Sequence, residues 1–285
     1  SIMLFGEPSS QMNSILIASF ITVLTGTIDD IRPLKASVKF VSQIVTALII
    51  ALYGKILIVD ISAFGLYFEL GVFAYPVTIF FIIGCLNCIN LIDGLDGLAA
   101  GISAIYFATI GLISIIMGKM GLDFVLTFIM LGSVLGFLVH NFHPASIFAG
   151  DSGSLFMGLM IAIIALLGFK SVTLTSLLIP VLIFAIPILD TTFAIIRRLL
   201  KGESISKPDK SHLQHQLLNK NFSHKTTVLI IYGVDILFAA ASVIYVLHSP
   251  KLGYIIYAVL TVLLILLVTK TDIVIDNNHT NKKKK

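Results

Sequence analysis

Charged residues are scarce in this sequence: Asp, Glu, Lys and Arg make up 12% of its 285 residues. An ordinary soluble domain is about one quarter charged, so the composition excludes that class. Apolar residues take their place, at 57% of the chain and a mean hydropathy of +1.03. Apolar runs of about 20 residues, the length that crosses a bilayer, recur along the sequence, whereas a membrane β-barrel would show alternating strands of about 10 residues. The sequence therefore predicts a polytopic α-helical membrane protein.

Cysteine and N-terminal basic residues are also scarce. The two cysteines, Cys85 and Cys88, cannot build a disulfide framework. Their CxxC spacing lacks the second Cys/His pair that a four-ligand zinc site requires, so packing is the favoured interpretation. Residues 1–12 contain no Lys or Arg, which argues against a cleavable secretory signal there.

Nine apolar spans are predicted, so the expected fold class is all-α, a polytopic bundle of membrane helices. The spans are 13–28, 35–53, 74–90, 98–117, 123–141, 154–169, 172–196, 226–247 and 252–269. Residues 55–70, "KILIVDISAFGLYFEL", are β-branched, aromatic and partly alternating, which predicts a short extracytoplasmic β-hairpin. We expect one integral membrane domain, 1–270, containing a basic, histidine-bearing cytoplasmic loop at 197–225. A polar, Lys-rich tail follows at 271–285.

The distribution of Lys and Arg predicts the orientation. If loop 29–34 faces the cytoplasm, alternation of the spans places 15 of the 19 basic residues on that side and 4 on the other. Such cytoplasmic enrichment sets membrane topology. The same alternation places several acidic and histidine-bearing loops together: 29–34, 91–97, 142–153 and 197–225. We therefore predict one composite site on the cytoplasmic face of the plasma membrane.

The first two of these loops are rich in carboxylates. In "TGTIDDIRP", Asp29 and Asp30 end a helix whose dipole opposes them, and adjacent carboxylates repel each other, which favours function over a solvated helix end. In "NLIDGLDGLAAG", Asp93 and Asp96 have the spacing of one helical face, and the glycines allow close approach of a ligand. An ordinary turn is the alternative for this motif. Asn90 adds a neutral oxygen that suits a hard cation.

The third loop, "HNFHPASIFAGDSGSLFMG", contains a glycine turn around Asp151 that opens into a helix. Amide groups at such a turn can bind an anion, and helix capping by Asp151 is a compatible alternative. His140 and His143 are expected to be simple anchors at the membrane interface rather than metal ligands.

The fourth loop contains "KPDKSHLQH". His212 and His215 lie one helical turn apart after Lys207 and Lys210, an arrangement that suits phosphate oxygens better than zinc. Basic residues of this loop, such as Arg197, could also face anionic lipid.

These groups together suit phosphoryl transfer. Carboxylates and an asparagine can hold a hard cation, and Lys, Arg and His can bind phosphate. Mg²⁺ fits because it uses few protein oxygens and leaves positions for the substrate, with Mn²⁺ as an alternative. A site at the lipid boundary allows one substrate to be a lipid phosphate and the other to arrive from the cytosol.

Four motifs, "DDIRPLKASVKFVSQ", "NLIDGLDGLAAG", "FAGDSGS" and "DKSHLQHQL", occur in this order between spans. Over residues 13–220 the chain thereby resembles the polyprenyl-phosphate N-acetylhexosamine-1-phosphate transferases, of the glycosyltransferase family 4 type. The resemblance implies transfer of a sugar-1-phosphate from a UDP-sugar to a polyprenyl phosphate, with release of UMP. In bacteria this step starts lipid-linked precursors of cell-wall and surface polymers such as teichoic acid.

The resemblance also implies roles for matching residues. Asp29 or Asp30 would deprotonate or orient the lipid phosphate, and Asn90 and Asp151 would hold Mg²⁺. Residues expected along the nucleotide pocket are Asp93, Asp96, Asn141 and Phe148, with the Phe148 ring stacked on uracil. Lys39, His212 and His215 would contact phosphates. Arg197 and Lys207 of the basic loop are further candidates for substrate binding.

The histidine motif bears on the sugar. The branch that uses UDP-N-acetylmuramoyl-pentapeptide has three consecutive histidines, whereas "SHLQH" resembles the UDP-GlcNAc branch, with Gln214 in place of a usual histidine. The expected partners are therefore UDP-GlcNAc, undecaprenyl phosphate and the lipid bilayer, with a homodimer as a further option and no nucleic acid. Family members also have two spans before the segment that starts here, so we expect a fragment or an unusual N-terminus.

Other classes of protein account for fewer of these sequence features. The muramoyl-pentapeptide transferase branch is the nearest alternative. A transporter could use buried acids such as Asp190 and Asp235, but the polar groups concentrate at one end of the spans and no internal repeat is evident. The CDP-alcohol phosphotransferases need an arginine after DG, which "DGLDGLAAG" lacks. A structural scaffold gives no reason for acidic loops on one side.

Overall fold

The computed structural model describes residues 9–63, 66–168, 217–247 and 250–270. Within these ranges the chain forms eight α-helices: α1 (Ser10–Ile31), α2 (Ala36–Leu48), α3 (Ala74–Ile92), α4 (Leu98–Ile116), α5 (Leu122–Asn141), α6 (Gly150–Gly168), α7 (His224–Leu247) and α8 (Pro250–Lys270). A π-helical turn, Ile49–Tyr53, continues α2, and a 3-10 turn, Gly71–Phe73, leads into α3. The predicted mostly helical fold class is thereby confirmed.

Seven of the described helices, α1 to α7, are long and apolar enough to cross a membrane when the turns flanking α2 and α3 are included. Helix α8 contains a shorter apolar stretch, Lys251–Leu264. The chain is an integral membrane protein. The count of nine spans stays a prediction, because the span 172–196 lies outside the described residues, as do residues 197–216 of the basic loop and the tail 271–285.

A two-stranded antiparallel sheet lies between α2 and α3, in the segment for which the sequence predicts a hairpin. Strand β1 (Asp60–Ala63) pairs with β2 (Leu66–Glu69), and Asp60 lies opposite Glu69 in the register. Its extracytoplasmic position stays a prediction.

Helices α4 and α6 form the interior of the described bundle, with about 70% of each span buried. Tyr106, Phe107 and Ile161 are fully buried. Close approach between helices depends on small residues: a Cβ atom on Gly158 of α6 would lie 2.7 Å from the carbonyl oxygen of Cys85 in α3. The outer helices expose large apolar side chains, as expected of a surface that faces lipid.

Polar side chains hold α2 between its two neighbours. The Thr25 and Ser42 hydroxyls lie 2.6 Å apart between α1 and α2. Gln43 and Asn87 form two reciprocal amide hydrogen bonds, at 3.2 and 2.8 Å, between α2 and α3. In a bilayer such pairs stabilise helix association by about 0.6 kcal/mol on average, so they set the position of α2 more than they add to stability.

Alternation of the helices brings three loops together at what we call the polar end, formed by residues 32–35, 93–97 and 142–149. The ends of α1, α3 and α5 meet the starts of α2, α4 and α6 there. Hydrogen bonds between these segments, described below, establish that they lie side by side. The β-hairpin follows the other end of α2, so it lies at the opposite end of the bundle.

Candidate active site

Four side chains from four helices converge at the polar end. Lys39 of α2 forms an ion pair with Asp29 of α1, at 3.2 Å from Oδ2, and a second, closer one with Asp151 of α6. Asn90 of α3 donates through Nδ2 to Asp151 Oδ1 at 3.0 Å and to the Ser154 hydroxyl at 2.9 Å. We call these four residues, Asp29, Lys39, Asn90 and Asp151, the central cluster. The structure thus brings together residues that are far apart in sequence, while their chemical roles stay predictions.

Asp30 lies beside the central cluster but faces another partner. Its Oδ1 accepts a hydrogen bond from the Asp151 backbone N–H at 2.7 Å, and its Oδ2 accepts one from the Ser152 N–H at 3.1 Å. These amides belong to the first turn of α6, where backbone N–H groups lack partners within the helix. The glycine turn predicted to offer amides to an anion therefore offers two of them to a carboxylate of the protein itself.

The central cluster and its immediate surroundings contain four carboxylates, those of Asp29, Asp30, Asp93 and Asp151. Asp93 is half-buried in the turn after α3, and burial, together with the nearby Asp151 and Asp30 carboxylates, raises its pKa from 3.8 to about 6. Lys39 is the ammonium group that the structure places between Asp29 and Asp151. An added cation would relieve the repulsion among these carboxylates.

The donor atoms fit a hard divalent cation. The Asp151 and Asp93 carboxylates and the Asn90 amide supply oxygens, which Mg²⁺ and Mn²⁺ prefer. Asn90 now directs its nitrogen at Asp151, so ligation through its oxygen requires the amide to turn over. The hydrogen bonds of the Asn90 amide would rearrange in this way once a cation replaced the Lys39 contact with Asp151.

Asp93 and Asp96 do not share a helical face, so that expectation is wrong. Helix α3 ends at Ile92, and residues 93–97 form a turn that ends with Gly97 at a φ of +81°. The turn separates the two carboxylates: Asp93 is affected by Asp151 and Asp30, whereas Asp96 accepts hydrogen bonds from His143 Nδ1 at 2.8 Å and from the Ala145 N–H at 3.2 Å.

A second cluster contains Asp96, His143 and His224. The His143 and His224 rings stack with centroids 4.2 Å apart and an interplanar angle of 18°. Potential ligand atoms of the three residues all lie within 4.8 Å of one another. Because the rings are nearly parallel, both cannot direct a nitrogen at one ion without turning. Burial raises the pKa of Asp96, but the hydrogen bonds from His143 and the Ala145 N–H outweigh it, so the net shift is downward.

Asn141 and Phe148 differ in what they offer a ligand. Asn141 is 3% exposed; its Oδ1 accepts from the Gly97 N–H at 3.1 Å, and its Nδ2 donates to the Ile147 carbonyl at 2.9 Å. It joins the 93–97 turn to the 142–149 loop. Phe148, in that loop, is 73% exposed. Its ring is therefore available for stacking against a planar ligand.

Sequence reasoning missed three residues of this region. Tyr232 of α7 donates its hydroxyl hydrogen to the Gly97 carbonyl, and it packs so closely on α4 that Gly101 has no room for a Cβ atom. His224 and Gln43 are the other two. None of them carries a local signal, because each contacts a segment far away in sequence. The predicted substrate-binding residues of the basic loop lie outside the described residues: Arg197, Lys207, His212 and His215.

The fold and the polar end define a class: an integral membrane protein with a composite site of carboxylates and a lysine at one end of its helix bundle. Residues 12–169 match the family model of glycosyl transferase family 4, and the chain belongs to that family. The family predicted from the four motifs is thereby confirmed.

Individual relatives are consistent with this assignment. The chain is 43% identical over 237 residues to a probable undecaprenyl-phosphate N-acetylglucosaminyl 1-phosphate transferase of Bacillus subtilis, covering 82% of this chain and 66% of the relative. It is 33% identical over 262 residues to a decaprenyl-phosphate N-acetylglucosaminephosphotransferase of Mycolicibacterium smegmatis, covering 83% and 64%. An undecaprenyl-phosphate alpha-N-acetylglucosaminyl 1-phosphate transferase of Escherichia coli is 28% identical over 236 residues, covering 80% and 64%. The chain thus spans a little under two thirds of the length of these relatives.

Proposed function

We propose that this protein transfers N-acetylglucosamine-1-phosphate from UDP-GlcNAc to undecaprenyl phosphate and releases UMP. The observation that carries the proposal is the convergence of Asp29, Lys39, Asn90 and Asp151 at one end of a membrane bundle. The names of the relatives from B. subtilis and E. coli support the acceptor and the GlcNAc group. The product would start a lipid-linked cell-wall or surface polysaccharide.

The reaction joins two anions. An oxygen of the lipid phosphate forms a bond to the β-phosphorus of UDP-GlcNAc, and the bond from that phosphorus to the oxygen shared with UMP breaks. Lys39, between Asp29 and Asp151, can bind phosphate oxygens once substrate displaces a carboxylate partner. Asp29 shares this lysine with Asp151, the expected cation ligand, so Asp29 is placed to orient the acceptor phosphate or remove its proton.

Mg²⁺, or Mn²⁺ in its place, would be held by Asp151 and Asn90, and it would neutralise charge on the diphosphate. The excess of carboxylates around Lys39 supports this requirement. Phe148 would stack on the uracil ring, since its side chain is exposed next to the turn that holds Asp93 and Asp96. The bias of basic residues toward one side supports a cytoplasmic site, where UDP-sugars are available.

The test is release of UMP by the full-length protein in detergent or liposomes, with UDP-GlcNAc, undecaprenyl phosphate and Mg²⁺ supplied together. We expect turnover to require all three components and to be lost in Asp151→Ala. Asp60→Asn, in the hairpin at the opposite end of the bundle, is the matched control and keeps wild-type turnover.

Two results would contradict the proposal. Unchanged turnover in Asp151→Ala would remove the central cluster from the reaction. Preference for UDP-N-acetylmuramoyl-pentapeptide over UDP-GlcNAc would move the protein to the other branch of the family.

A further inference from the structure

The adjacent residues Asp29 and Asp30 face different partners, and this difference assigns them different roles. We infer that Asp30 is a positioning residue, which holds Asp151 in place through the first turn of α6, whereas Asp29 is the carboxylate that faces the substrates. This inference rests on the proposed function. It separates two acids that the sequence leaves equivalent.

Asp30 binds the backbone of Asp151, one of the two residues proposed to hold the cation. Its two oxygens accept from the N–H groups of Asp151 and Ser152, at 2.7 and 3.1 Å. The Asp151 side chain starts from the Cα atom next to the first of these N–H groups, and it reaches Lys39 and Asn90. A carboxylate that accepts two successive amides therefore fixes the direction in which the Asp151 side chain points.

The packing around this contact leaves little room for α1 and the first turn of α6 to move relative to each other. Gly150 has a φ of +61°, a conformation that suits glycine, and a Cβ atom on it would lie 2.6 Å from both Asp30 oxygens. One turn earlier in α1, a Cβ atom on Gly26 would lie 2.5 Å from the Ser152 backbone nitrogen. The last turns of α1 and the first turn of α6 thus touch backbone to backbone, and Asp30 closes that contact.

Asp29 differs from Asp30 in its hydrogen-bond partners. Its Oδ1 accepts from the Leu34 N–H at 2.8 Å, within the adjoining loop, and its Oδ2 faces Lys39 at 3.2 Å. Lys39 also reaches Asp151, so Asp29 borders the place where phosphates and a cation would meet. Its environment is the side-chain cluster, whereas that of Asp30 is the α6 backbone.

The negative charge of Asp30 should favour cation binding at Asp151, as its hydrogen bonds do. A carboxylate at a helix N-terminus is stabilised by the helix dipole, and it adds negative potential beside Asp151 and Asp93. Loss of either contribution should weaken cation binding. The two can be separated, because Asp30→Asn keeps one acceptor oxygen but removes the charge, whereas Asp30→Ala removes both.

The experiment compares Asp30→Asn, Asp30→Ala, Asp29→Asn and the control Asp60→Asn in the full-length protein. Mn²⁺ binding is measured by electron paramagnetic resonance titration without substrate, and UMP release is measured as a function of Mg²⁺. Loss of a group that orients a metal ligand typically weakens metal affinity about 10- to 100-fold. We expect a loss of that size in Asp30→Asn, a larger one in Asp30→Ala, and recovery of much of kcat at high Mg²⁺.

Asp29→Asn should behave differently, with a smaller change in Mn²⁺ affinity and a loss of kcat that excess Mg²⁺ does not restore. The inference is wrong if Asp30→Asn and Asp30→Ala bind Mn²⁺ as the wild type does, or if their kcat resists excess Mg²⁺ as that of Asp29→Asn does. Should Asp30→Ala fail to fold, Asp30→Asn decides the question. If the wild type releases no UMP, the proposed function fails, while the Mn²⁺ titrations still test the role of Asp30.

Discussion

The contact between Gly26 of α1 and the start of α6 predicts a large effect of a small substitution. Replacing Gly26 with Ala adds one methyl group 2.5 Å from the Ser152 nitrogen, whereas ordinary contact begins at 3.4 Å. The neighbour is backbone inside a helix, so it cannot turn aside as a flexible side chain would. The two helices must separate by about 1.0 Å, because the nearest atom, the Ser152 Cα, would lie 2.4 Å from the new methyl group and ordinary contact begins at 3.4 Å.

The expected cost follows from this geometry. Overpacking of a well-packed interior costs about 1–3 kcal/mol, while Gly to Ala in a helix interior gains about 1 kcal/mol of helix propensity. We therefore expect the free energy of unfolding to fall by about 0–2 kcal/mol relative to the wild type, and by about 1–3 kcal/mol relative to a glycine-to-alanine variant that makes no such close contact. The separation also moves Asp30 away from the Asp151 amide, so Mn²⁺ binding should weaken along with stability.

Gly84 of α3 supplies the matched control, since a Cβ atom there meets nothing within 4 Å. Thermal unfolding and denaturant titration in detergent would compare Gly26→Ala, Gly84→Ala and the wild type. Gly84→Ala should be equal to or more stable than the wild type, and Gly26→Ala less stable. Equal stability of the two variants would refute the argument that α1 and α6 touch through their backbones.

Two further predictions concern the polar end, and a third concerns the contact between α2 and α3. The raised pKa of Asp93 destabilises the native protein above pH 6; the cost is absent below 3.8 and grows as pH rises to about 6, reaching at most about 3 kcal/mol. In protein freed of divalent cations, Asp93→Asn should therefore raise the unfolding temperature at pH 7.5 and lose that advantage near pH 3.5, and a pH-independent effect would contradict this account. Phe148→Ala should raise KM for UDP-GlcNAc about 5- to 150-fold, from a stacking contribution of about 1–3 kcal/mol. It should leave the unfolding temperature unchanged because the side chain is 73% exposed, and Phe148→Tyr, which keeps the ring, should keep KM. A double-mutant cycle with Gln43→Leu and Asn87→Leu should give a coupling of about 0.6 kcal/mol, at most about 1.7, measured by unfolding in detergent, and additivity of the two substitutions would show that their reciprocal hydrogen bonds are not formed.

The helices were predictable because a bilayer imposes a local rule. A span must be apolar for about 20 residues, and this is visible without knowledge of any contact. The predicted span 98–117 corresponds to α4, Leu98–Ile116. The start of α6 was placed four residues too late, at 154 instead of Gly150, because the polar residues of "GDSG" interrupt the apolar pattern. They nevertheless fit a first helical turn, where Asp30 supplies a partner for the amides.

The site was predictable in composition but not in contacts. Loops that follow every second span lie at the same end of a bundle, so the order of the spans predicts that Asp29, Asn90 and Asp151 share one end, but not that they touch. The turn that separates Asp93 from Asp96 was missed, because the spacing of three residues also fits a helix. Asn141 is expected near the nucleotide, which stays a prediction, and only the structure shows that its amide also joins the 93–97 turn to the 142–149 loop.

The sequence by itself determined that this is an integral membrane protein, roughly where its apolar spans lie, and which loops contain the polar groups. These features were predictable because hydropathy and charge can be read locally along the chain. The tertiary structure alone decided the partner of each polar group. Asp29 and Asp30 are neighbours with the same side chain, yet one faces Lys39 and the other faces the α6 backbone. Successive residues on a helix point about 100° apart. Asp29 and Asp30 therefore meet different partners only because α2 and α6 pack on different sides of α1.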